Sequence, residues 1–475
     1  MSRFSIFSLS LSLFFSSFSL NAQISPLTLP LTTAENTNFE RTGSYHEVVE
    51  HCYAFARAYP RKLACQSLGQ TPEGRQMMAL VYSHDGVLTP TRAHSLKKIV
   101  VYLQAGIHAG EMDGKEAGFI FLRQLLSRKV LSFKNVVLVF VPVLNVDGHE
   151  RFRAYQRPNQ NGPLETGWRV TGMNLNLNRD HLKAEDPHMK MLLRFLKNWR
   201  PHLTADLHVT DGAQFEHEIA YIVEPYKEGY APLIRATQDM EEYLLHEVSK
   251  KGFSPLNFYP SFIEYENPLS GVEREISTPR FAQGLARVKN RIGILVETHS
   301  WKPFRTRVMA TLESLMALTE FTDKNAERLR EATQGADREA ASLAGKTYVL
   351  DYSLGKESIP YSMKGYHFER PLSIITGKPV TVYDPSKNEV WNIQLYNHPT
   401  VAVETTVPHQ GYFVMPSAAQ ASVEERLILH GISYQKLKKA RLALKVETFE
   451  VSEHTFAPKS YEGRQTLSLK GAWKS

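Results

Sequence analysis

Much of the chain alternates between short apolar runs and segments whose apolar residues recur every three or four positions. Residues 99–103 and 136–144 are continuous apolar runs, which are typical of strands buried on both faces of a sheet. Residues 114–126 lie between these runs and have helical spacing. The pattern therefore predicts an α/β domain that begins near Ser44.

The same patterns predict further elements of this domain. Strands are expected at residues 203–209 and 292–296, and helices at residues 45–59, 187–199 and 308–321. Asp186 and Pro187 supply an N-cap and a first-turn proline for the second of these helices.

The apolar pattern changes after about residue 345, where alternating residues predict antiparallel strands. The alternating positions are Val401, Val403, Thr405 and Val407, then Leu442, Leu444, Val446 and Thr448, then Leu467 and Leu469. We therefore divide the chain into a signal peptide (1–22), a loosely held lead-in segment (23–44), an α/β domain (45–335) and a β-rich C-terminal domain (345–475).

The first 22 residues have the composition of a secretory signal peptide. Arg3 precedes residues 4–20, which are rich in Leu, Phe and Ser and carry no charge, and Ala22 offers a small residue for cleavage. A membrane anchor is the alternative, but the apolar stretch is short and diluted by serine. We expect cleavage near Ala22, a secreted or periplasmic protein, and no stable membrane insertion after cleavage.

Composition narrows the class further. The 475 residues are 42% hydrophobic and 22% charged, which is the composition of a globular protein. The net charge of +7 contains no run of like charge, so we set nucleic-acid binding aside. An oxidising compartment would favour a disulfide between Cys52 and Cys65, and the alternative is two buried thiols. The oligomeric state is left open.

Polar residues at the ends of three expected strands indicate a candidate metal site. His108 and Glu111 follow the first apolar run in the sequence HAGE, His208 ends the run DLHV, and Glu297 ends the run GILVE. The chain holds two His-x-x-acid sequences, about as many as chance predicts, so spacing alone is weak evidence. Because the carboxyl ends of parallel strands host sites in open α/β sheets, imidazole and carboxylate groups could converge there on zinc.

Asn178 and Arg179 form a pair suited to holding a carboxylate, since the guanidinium offers two parallel donors and the amide adds another. Such a pair alone is more often a capped loop with a surface ion pair. The ordered set is more specific and resembles the zinc carboxypeptidase family (carboxypeptidase A-like metallopeptidases) over about residues 45–325. Its members are HAGE at 108–111, NVDG at 145–148, Asn178-Arg179, DLH at 206–208 and Glu297.

The resemblance implies that residues 45–335 are a catalytic domain, folded as an α/β/α sandwich on a mixed, largely parallel sheet with one zinc ion. Its implied metal ligands are His108, Glu111 and His208, and its implied general base is Glu297. Asn178 and Arg179 match the clamp for the terminal carboxylate of the substrate. Trp168-Arg169 resembles the pair whose arginine polarises the scissile carbonyl, so Arg169 takes that role and Arg157 is the alternative.

The sequence departs from the family pattern in three places. Asn176 stands where an Asp often orients the first zinc histidine; its amide oxygen could replace that Asp, and Asp206 could share the task. Gly110 stands where some members carry an Arg that reaches further substrate residues. The mobile phenol of the family has no clear match: Tyr259 and Tyr265 are candidates, and Phe281 lies near the expected position.

The implied function is an exported zinc metallocarboxypeptidase acting on peptides with a free C-terminal carboxylate. One alternative is a zinc amidase of the same fold that cuts cell-wall stem peptides or N-acyl amino acids. A second alternative is a catalytically inactive binding protein, although such a protein would have no physical need for Glu297 beside the metal.

Overall fold

The computed structural model describes residues 29–127, 132–439, 445–462 and 464–475. The expected signal peptide at residues 1–22 lies outside these ranges, as do Leu442 and Leu444 of the expected C-terminal strands. None of the helices in the described ranges is both long and apolar enough to cross a lipid bilayer.

An eight-stranded mixed sheet forms the centre of the molecule. Its strands, numbered along the chain, are β1 (Leu63–Gln70), β2 (Gln76–Ser83), β3 (Ile99–Ala105), β4 (Val136–Val141), β7 (Leu203–Val209), β8 (Ile219–Glu224), β9 (Pro255–Leu256) and β12 (Ile292–Thr298). They lie in the order β1-β2-β4-β3-β7-β12-β8-β9. The four central strands, β4, β3, β7 and β12, are mutually parallel. Strand β4 ends before the expected residue 144 because Pro142 has no amide hydrogen to donate.

Eleven α-helices occur in the described ranges. They are α1 (Thr33–Asn36), α2 (Tyr45–Ala58), α3 (Pro90–Ser95), α4 (Asp113–Ser127), α5 (Val146–His149), α6 (Pro187–Trp199), α7 (Ala231–Lys250), α8 (Ala282–Val288), α9 (Phe304–Lys324), α10 (Ala326–Ala340) and α11 (Gln420–His430). Short 3-10 turns cover Leu177–Arg179 and Pro268–Ser270. Asp186 caps α6 as expected, since its side chain accepts a hydrogen bond from the amide of His188 at 2.8 Å.

Helices cover both faces of the sheet, which confirms the expected α/β/α sandwich. Helix α4 packs closely on one face, where a Cβ added to Gly114 would lie 2.5 Å from the Cβ of Leu207. Helix α8 packs on the opposite face, where a Cβ added to Gly293 would lie 2.5 Å from the backbone of Gln283. The strands between these layers are buried on both sides, as their continuous apolar runs predicted.

Residues 29–44 are held more firmly than the sequence indicated. Thr32 caps α1 and forms a capping box with Glu35. Glu35 also pairs with Arg123 on α4, and the buried ammonium of Lys115 donates to the carbonyl of Gly43 at 2.7 Å. This part of the lead-in is therefore packed against α4, because its few polar side chains find charged partners there.

The remaining strands lie mostly in the C-terminal part of the chain. They are β5 (Arg153–Ala154), β6 (Glu165–Thr166), β10 (Ser261–Phe262), β11 (Val272–Glu273), β13 (Thr347–Ser353), β14 (Ile359–Glu369), β15 (Val382–Tyr396), β16 (Thr400–Thr406), β17 (Thr448–Phe456) and β18 (Leu467–Lys474). They confirm the expected β-rich texture, and α11 is a helix that the alternating pattern did not indicate. Helix α10 continues to Ala340, past the expected domain end at 335.

The C-terminal region shares a sheet and a core with the α/β domain. Strands β10 and β11 join β15 and β14 in one four-stranded sheet. Trp391 and Met363 from the C-terminal strands are buried against Phe215 and Phe258 of the α/β domain. Strands β14 and β15 therefore pack against the α/β domain, and the division at residues 335–345 stays a prediction.

Cys52 on α2 and Cys65 on β1 are joined by a disulfide. The bond links the outermost strand of the sheet to a helix that packs on it. Of the two alternatives left open by the sequence, the structure has the disulfide.

Candidate active site

Three polar side chains converge at the carboxyl ends of β3 and β7. His108 and Glu111 lie in the connection between β3 and α4, and His208 lies near the end of β7. Their potential ligand atoms all lie within 4.8 Å of one another, and the three residues are buried. The Nδ1 atoms of His108 and His208 lie 3.0 and 2.9 Å from the two oxygens of Glu111.

The chemistry of this group fits zinc. Two imidazole nitrogens and one carboxylate are the donor set of many catalytic zinc sites, and three protein donors leave a coordination position open. Burial lowers the pKa of His108 to about 4, which favours the neutral ring that a metal requires. Burial opposes the charge on His208, but Asp206 and Glu111 outweigh it and raise its pKa above the ordinary value.

A second layer of polar groups holds the three side chains. The amide of Val209 and the guanidinium of Arg157 donate to Glu111 at 3.1 and 2.8 Å. Asp206, which is fully buried, lies 2.9 Å from Nε2 of His208. Asp206 is therefore placed to orient that ring, as the sequence suggested.

Asn176 does not perform the task that was suggested for it. Its side-chain oxygen accepts from the amide of Asn178 at 2.9 Å, and its side-chain nitrogen donates to Glu462 at 3.0 Å. The Nε2 atom of His108 has no hydrogen-bond partner among the described residues. The side-chain amide of Asn176 caps the 3-10 turn at Leu177–Arg179, because Asn side chains readily form hydrogen bonds with nearby backbone groups.

Glu297 lies beside this group on the next strand. In the parallel pairing of β12 with β7 it is the register partner of His208. Burial, reinforced by the negative charges of Glu111 and Asp211, raises the pKa of Glu297 to about 8. Its Oε2 atom has no hydrogen-bond partner among the described residues. A cation bound by the neighbouring side chains would favour the carboxylate form.

Both candidates for the carbonyl-polarising role, Arg157 and Arg169, approach Glu111. Arg157 Nη2 lies 2.8 Å from Glu111 Oε1, and Arg169 Nη1 lies 3.8 Å from the same atom. A Cβ added to Gly110 would lie 2.6 Å from Cγ of Arg157. Gly110 therefore gives Arg157 the space that a side chain at position 110 would occupy. Arg157 is nearly buried, whereas the side chain of Arg169 remains 29% exposed.

Asn178 and Arg179 lie together in the 3-10 turn, at the side of the site that Arg169 faces. Arg179 donates to the carbonyl of Asn178 at 2.7 Å through Nη1. Its Nη2 atom lies 3.3 Å from the carboxylate of Glu462, which also lies 3.6 Å from Arg169. The two arginines thus hold a carboxylate between them.

The candidates for the phenol occupy different surroundings. The hydroxyl of Tyr259 accepts from the amide of Asp211 at 3.5 Å, and the nearby charge of Glu297 adds to burial in raising its pKa. Tyr265 is 90% exposed. Phe281 lies under Arg179, with the guanidinium 5.0 Å from its ring centre. Tyr259 is therefore the candidate that lies near the site.

Sequence reasoning missed Glu462. This residue lies in the turn between β17 and β18, far along the chain from the residues that it contacts. The only local signal is a short Tyr-Glu-Gly turn between two alternating segments, which indicates a hairpin but not where its tip lies.

Residues 48–218 match the family model described as zinc carboxypeptidase. Over these residues, about a third of its length, the chain is similar to the zinc carboxypeptidase family. The matched range includes the three converging residues and the Asn178-Arg179 pair, and it ends before Glu297. The placement of Glu297 therefore rests on the strand register alone.

Several solved structures are similar to this chain. A metallo-carboxypeptidase from Burkholderia cenocepacia is 15% identical over 58% of this chain and 69% of that one, with a TM-score of 0.41. Bovine thrombin-activatable fibrinolysis inhibitor, in complex with a tick carboxypeptidase inhibitor, is 13% identical over 61% of this chain and 99% of that one, with a TM-score of 0.43.

A metallo-carboxypeptidase from Pseudomonas aeruginosa, in complex with (2-guanidinoethylmercapto)succinic acid, is 13% identical over 59% of this chain and 69% of that one, with a TM-score of 0.41. No curated protein matches the sequence significantly.

Proposed function

We propose that this protein is an exported zinc metallocarboxypeptidase that hydrolyses the C-terminal peptide bond of its substrates. The observation that carries the proposal is that the Arg169 guanidinium lies close both to the candidate metal site and to a bound carboxylate. Arg169 lies 3.8 Å from Glu111 of the candidate metal site and 3.6 Å from a carboxylate held by Arg179. If the terminal carboxylate of a substrate took the position of the carboxylate held by Arg179, the adjacent peptide bond would lie beside the candidate metal site.

The proposed roles follow from these positions. His108, Glu111 and His208 would hold one zinc ion, and Arg179 with Asn178 would bind the terminal carboxylate of the peptide. Arg169 would donate to the scissile carbonyl oxygen as negative charge develops there, which is commonly a large catalytic contribution. Because the clamp accepts one terminal carboxylate, cleavage would release single C-terminal residues.

Glu297 would move the proton of the reaction. Zinc, when bound, supplies Lewis acidity that makes water nucleophilic near neutral pH. Glu297 lies beside His208 in the strand register and would accept a proton from water and return it to the leaving amine. Its environment favours such proton exchange, since the carboxyl group is buried and its Oε2 atom has no hydrogen-bond partner among the described residues.

We also propose that the protein acts outside the cytoplasm, in the periplasm or the secreted fraction. The charge-free, Leu/Phe/Ser-rich segment at residues 4–20 supports this, as does the Cys52–Cys65 disulfide. Protein analysis of culture fractions, with the N-terminal sequence of the mature chain, tests it. A new N-terminus near Gln23 is expected, and a chain retained intact in the cytoplasm would contradict it.

The activity is tested with a peptide library presented in two forms, with free C-termini and with C-terminal amides. Mass spectrometry should show loss of single residues from the free form, abolished by a chelator and restored by zinc. Cleavage of cell-wall stem peptides or N-acyl amino acids alone would favour the amidase instead. Zinc bound without any turnover would favour an inactive binding protein. Glu297→Gln should abolish the loss of single residues, and Glu327→Gln, on the exposed surface of α10, is its matched acidic control and should leave it unchanged.

A further inference from the structure

The C-terminal hairpin brings its own carboxylate to the candidate substrate clamp. Strands β17 and β18 pair antiparallel. The segment that connects them contains a tight turn. In this turn the amide of Tyr461 donates to the carbonyl of Arg464 at 2.7 Å, and the reverse bond is 3.0 Å. Glu462 lies in the turn with a φ of 50°, a left-handed conformation that non-glycine residues rarely adopt. Such a conformation persists when surrounding contacts favour it.

The contacts of Glu462 are those expected of a bound substrate carboxylate. Its Oε2 atom accepts from Asn176 at 3.0 Å, and its Oε1 atom lies 3.3 Å from Arg179 and 3.6 Å from Arg169. Partial burial opposes the charge of Glu462, but Asn176, Arg169 and Arg179 outweigh it and hold the pKa of Glu462 below its ordinary value. The group is therefore a carboxylate at neutral pH.

The residues flanking Glu462 also contact the α/β domain. The hydroxyl of Tyr461 accepts from Arg179 at 3.0 Å, and the guanidinium lies 5.5 Å from the centre of its ring. Arg464 pairs with Glu185 at 2.8 Å. Three residues of one turn thus place a single carboxylate against Arg179.

Among the described residues, the hairpin has few other contacts that would fix it in this position. Every residue of β17 and β18 is exposed, so the two strands bury no apolar side chain of their own. The tip contacts are polar and partly exposed, with 24% of the Glu462 side chain and 53% of the Arg464 side chain accessible. Such ion pairs contribute little individually. Docking of the tip is therefore weak enough to be reversible.

We propose that Glu462 is a built-in competitor for the clamp, so that the docked hairpin tip inhibits the enzyme until a substrate carboxylate displaces it. The proposal rests on the proposed function of Arg179 and Arg169 as the carboxylate-binding pair. A peptide C-terminus and the Glu462 side chain offer the same group to the same donors, and both cannot be bound by them at once. Because the competitor is tethered, it acts at a high effective concentration.

Steady-state kinetics of Glu462→Gln test this competition. Removing the charge should lower KM for peptides with a free C-terminus about tenfold, with kcat little changed, because only binding is contested. Peptides with a C-terminal amide should show no such gain. Glu453→Gln, in the same hairpin but paired with Lys470, is the matched control and should leave KM unchanged. An active Glu462→Gln enzyme with unchanged or higher KM would overturn the proposal.

A binding measurement tests the competition without turnover. Peptides of the free and amidated libraries are selected on Glu297→Gln and on the double variant Glu297→Gln/Glu462→Gln, and retained peptides are quantified by mass spectrometry. The double variant should retain more of the free peptides and an equal amount of the amides. Equal retention of the free peptides would refute the competition. If zinc-loaded wild-type protein cleaves nothing, the proposed function fails, and this measurement still decides whether Glu462 occupies the clamp.

Discussion

Glu297 lies opposite His208 in the register of the parallel strands β12 and β7. The proposed base is therefore positioned by the hydrogen-bonded sheet, and a loop movement is not needed to bring it to the metal site. Thr298, the next residue, donates to Asp113 at the start of α4 at 2.5 Å, which fixes the end of the strand. Because Glu297 and His208 lie on neighbouring hydrogen-bonded strands, the distance between them stays constant. Pre-organised catalytic groups need such a fixed distance.

The converging residues should bind one zinc ion per chain. His208→Ala removes a donor from the set and should reduce the zinc content from about one ion to near zero after dialysis. The content is measured by elemental mass spectrometry. His46→Ala changes an exposed histidine on α2 and should keep the metal. Full zinc content in His208→Ala would show that these residues do not form the site.

Asp206 should tune zinc affinity from behind His208. Asp206→Asn weakens the acceptor that lies 2.9 Å from Nε2 of the ring, and loss of such a partner typically lowers metal affinity about 10–100-fold. Competition with a chromophoric chelator gives the zinc Kd of both proteins. An unchanged Kd would mean that the ring is oriented by other contacts.

Arg179 should discriminate between free and blocked C-termini. Arg179→Ala removes charge-assisted hydrogen bonds of about 2 kcal/mol, so kcat/KM for free peptides should fall roughly 30-fold. The same enzyme should cleave C-terminal esters or amides as well as the wild type does. An equal loss on both substrate forms would argue against a carboxylate clamp.

Arg307 should stabilise the fold around the end of β12. This fully buried residue on α9 pairs with Asp113 at 2.8 Å and donates to the carbonyls of Ser300 and Lys302. Arg307→Ala leaves a buried charge unpaired and should lower the free energy of unfolding by about 3–5 kcal/mol. Urea unfolding measures the change. Arg305→Ala, on the exposed face of the same helix, should have little effect.

The sequence predicted those parts of the site that depend on local pattern and strand order. His108, His208 and Glu297 follow apolar runs, and parallel strands bring their carboxyl ends to one edge. Their convergence follows from the parallel pairing of these strands, whereas their roles as ligands and base were implied by the resemblance. The carbonyl-polarising arginine was different: Arg169 was assigned through the resemblance, with Arg157 as the alternative, because both lie in irregular segments whose path depends on packing around Gly110.

Longer-range features were not predictable from such patterns. Alternation at residues 467 and 469 indicated a strand, yet nothing in it specified that the hairpin tip would reach Arg179. The four-stranded sheet that β10 and β11 form with β15 and β14 was not predictable either, since β10 and β11 are each two residues long and have no detectable period. Asn176 illustrates the limit for single residues: its amide could cap a turn or orient a ring, and only the fold decides.

The most direct test of the account is turnover and zinc content of Glu297→Gln measured on the same preparation. The substitution keeps the size of the side chain and removes its ability to take a proton, and it leaves His108, Glu111 and His208 in place. The account predicts full zinc occupancy, unchanged peptide binding and loss of nearly all hydrolysis. Hydrolysis close to the wild-type rate with zinc bound would contradict it.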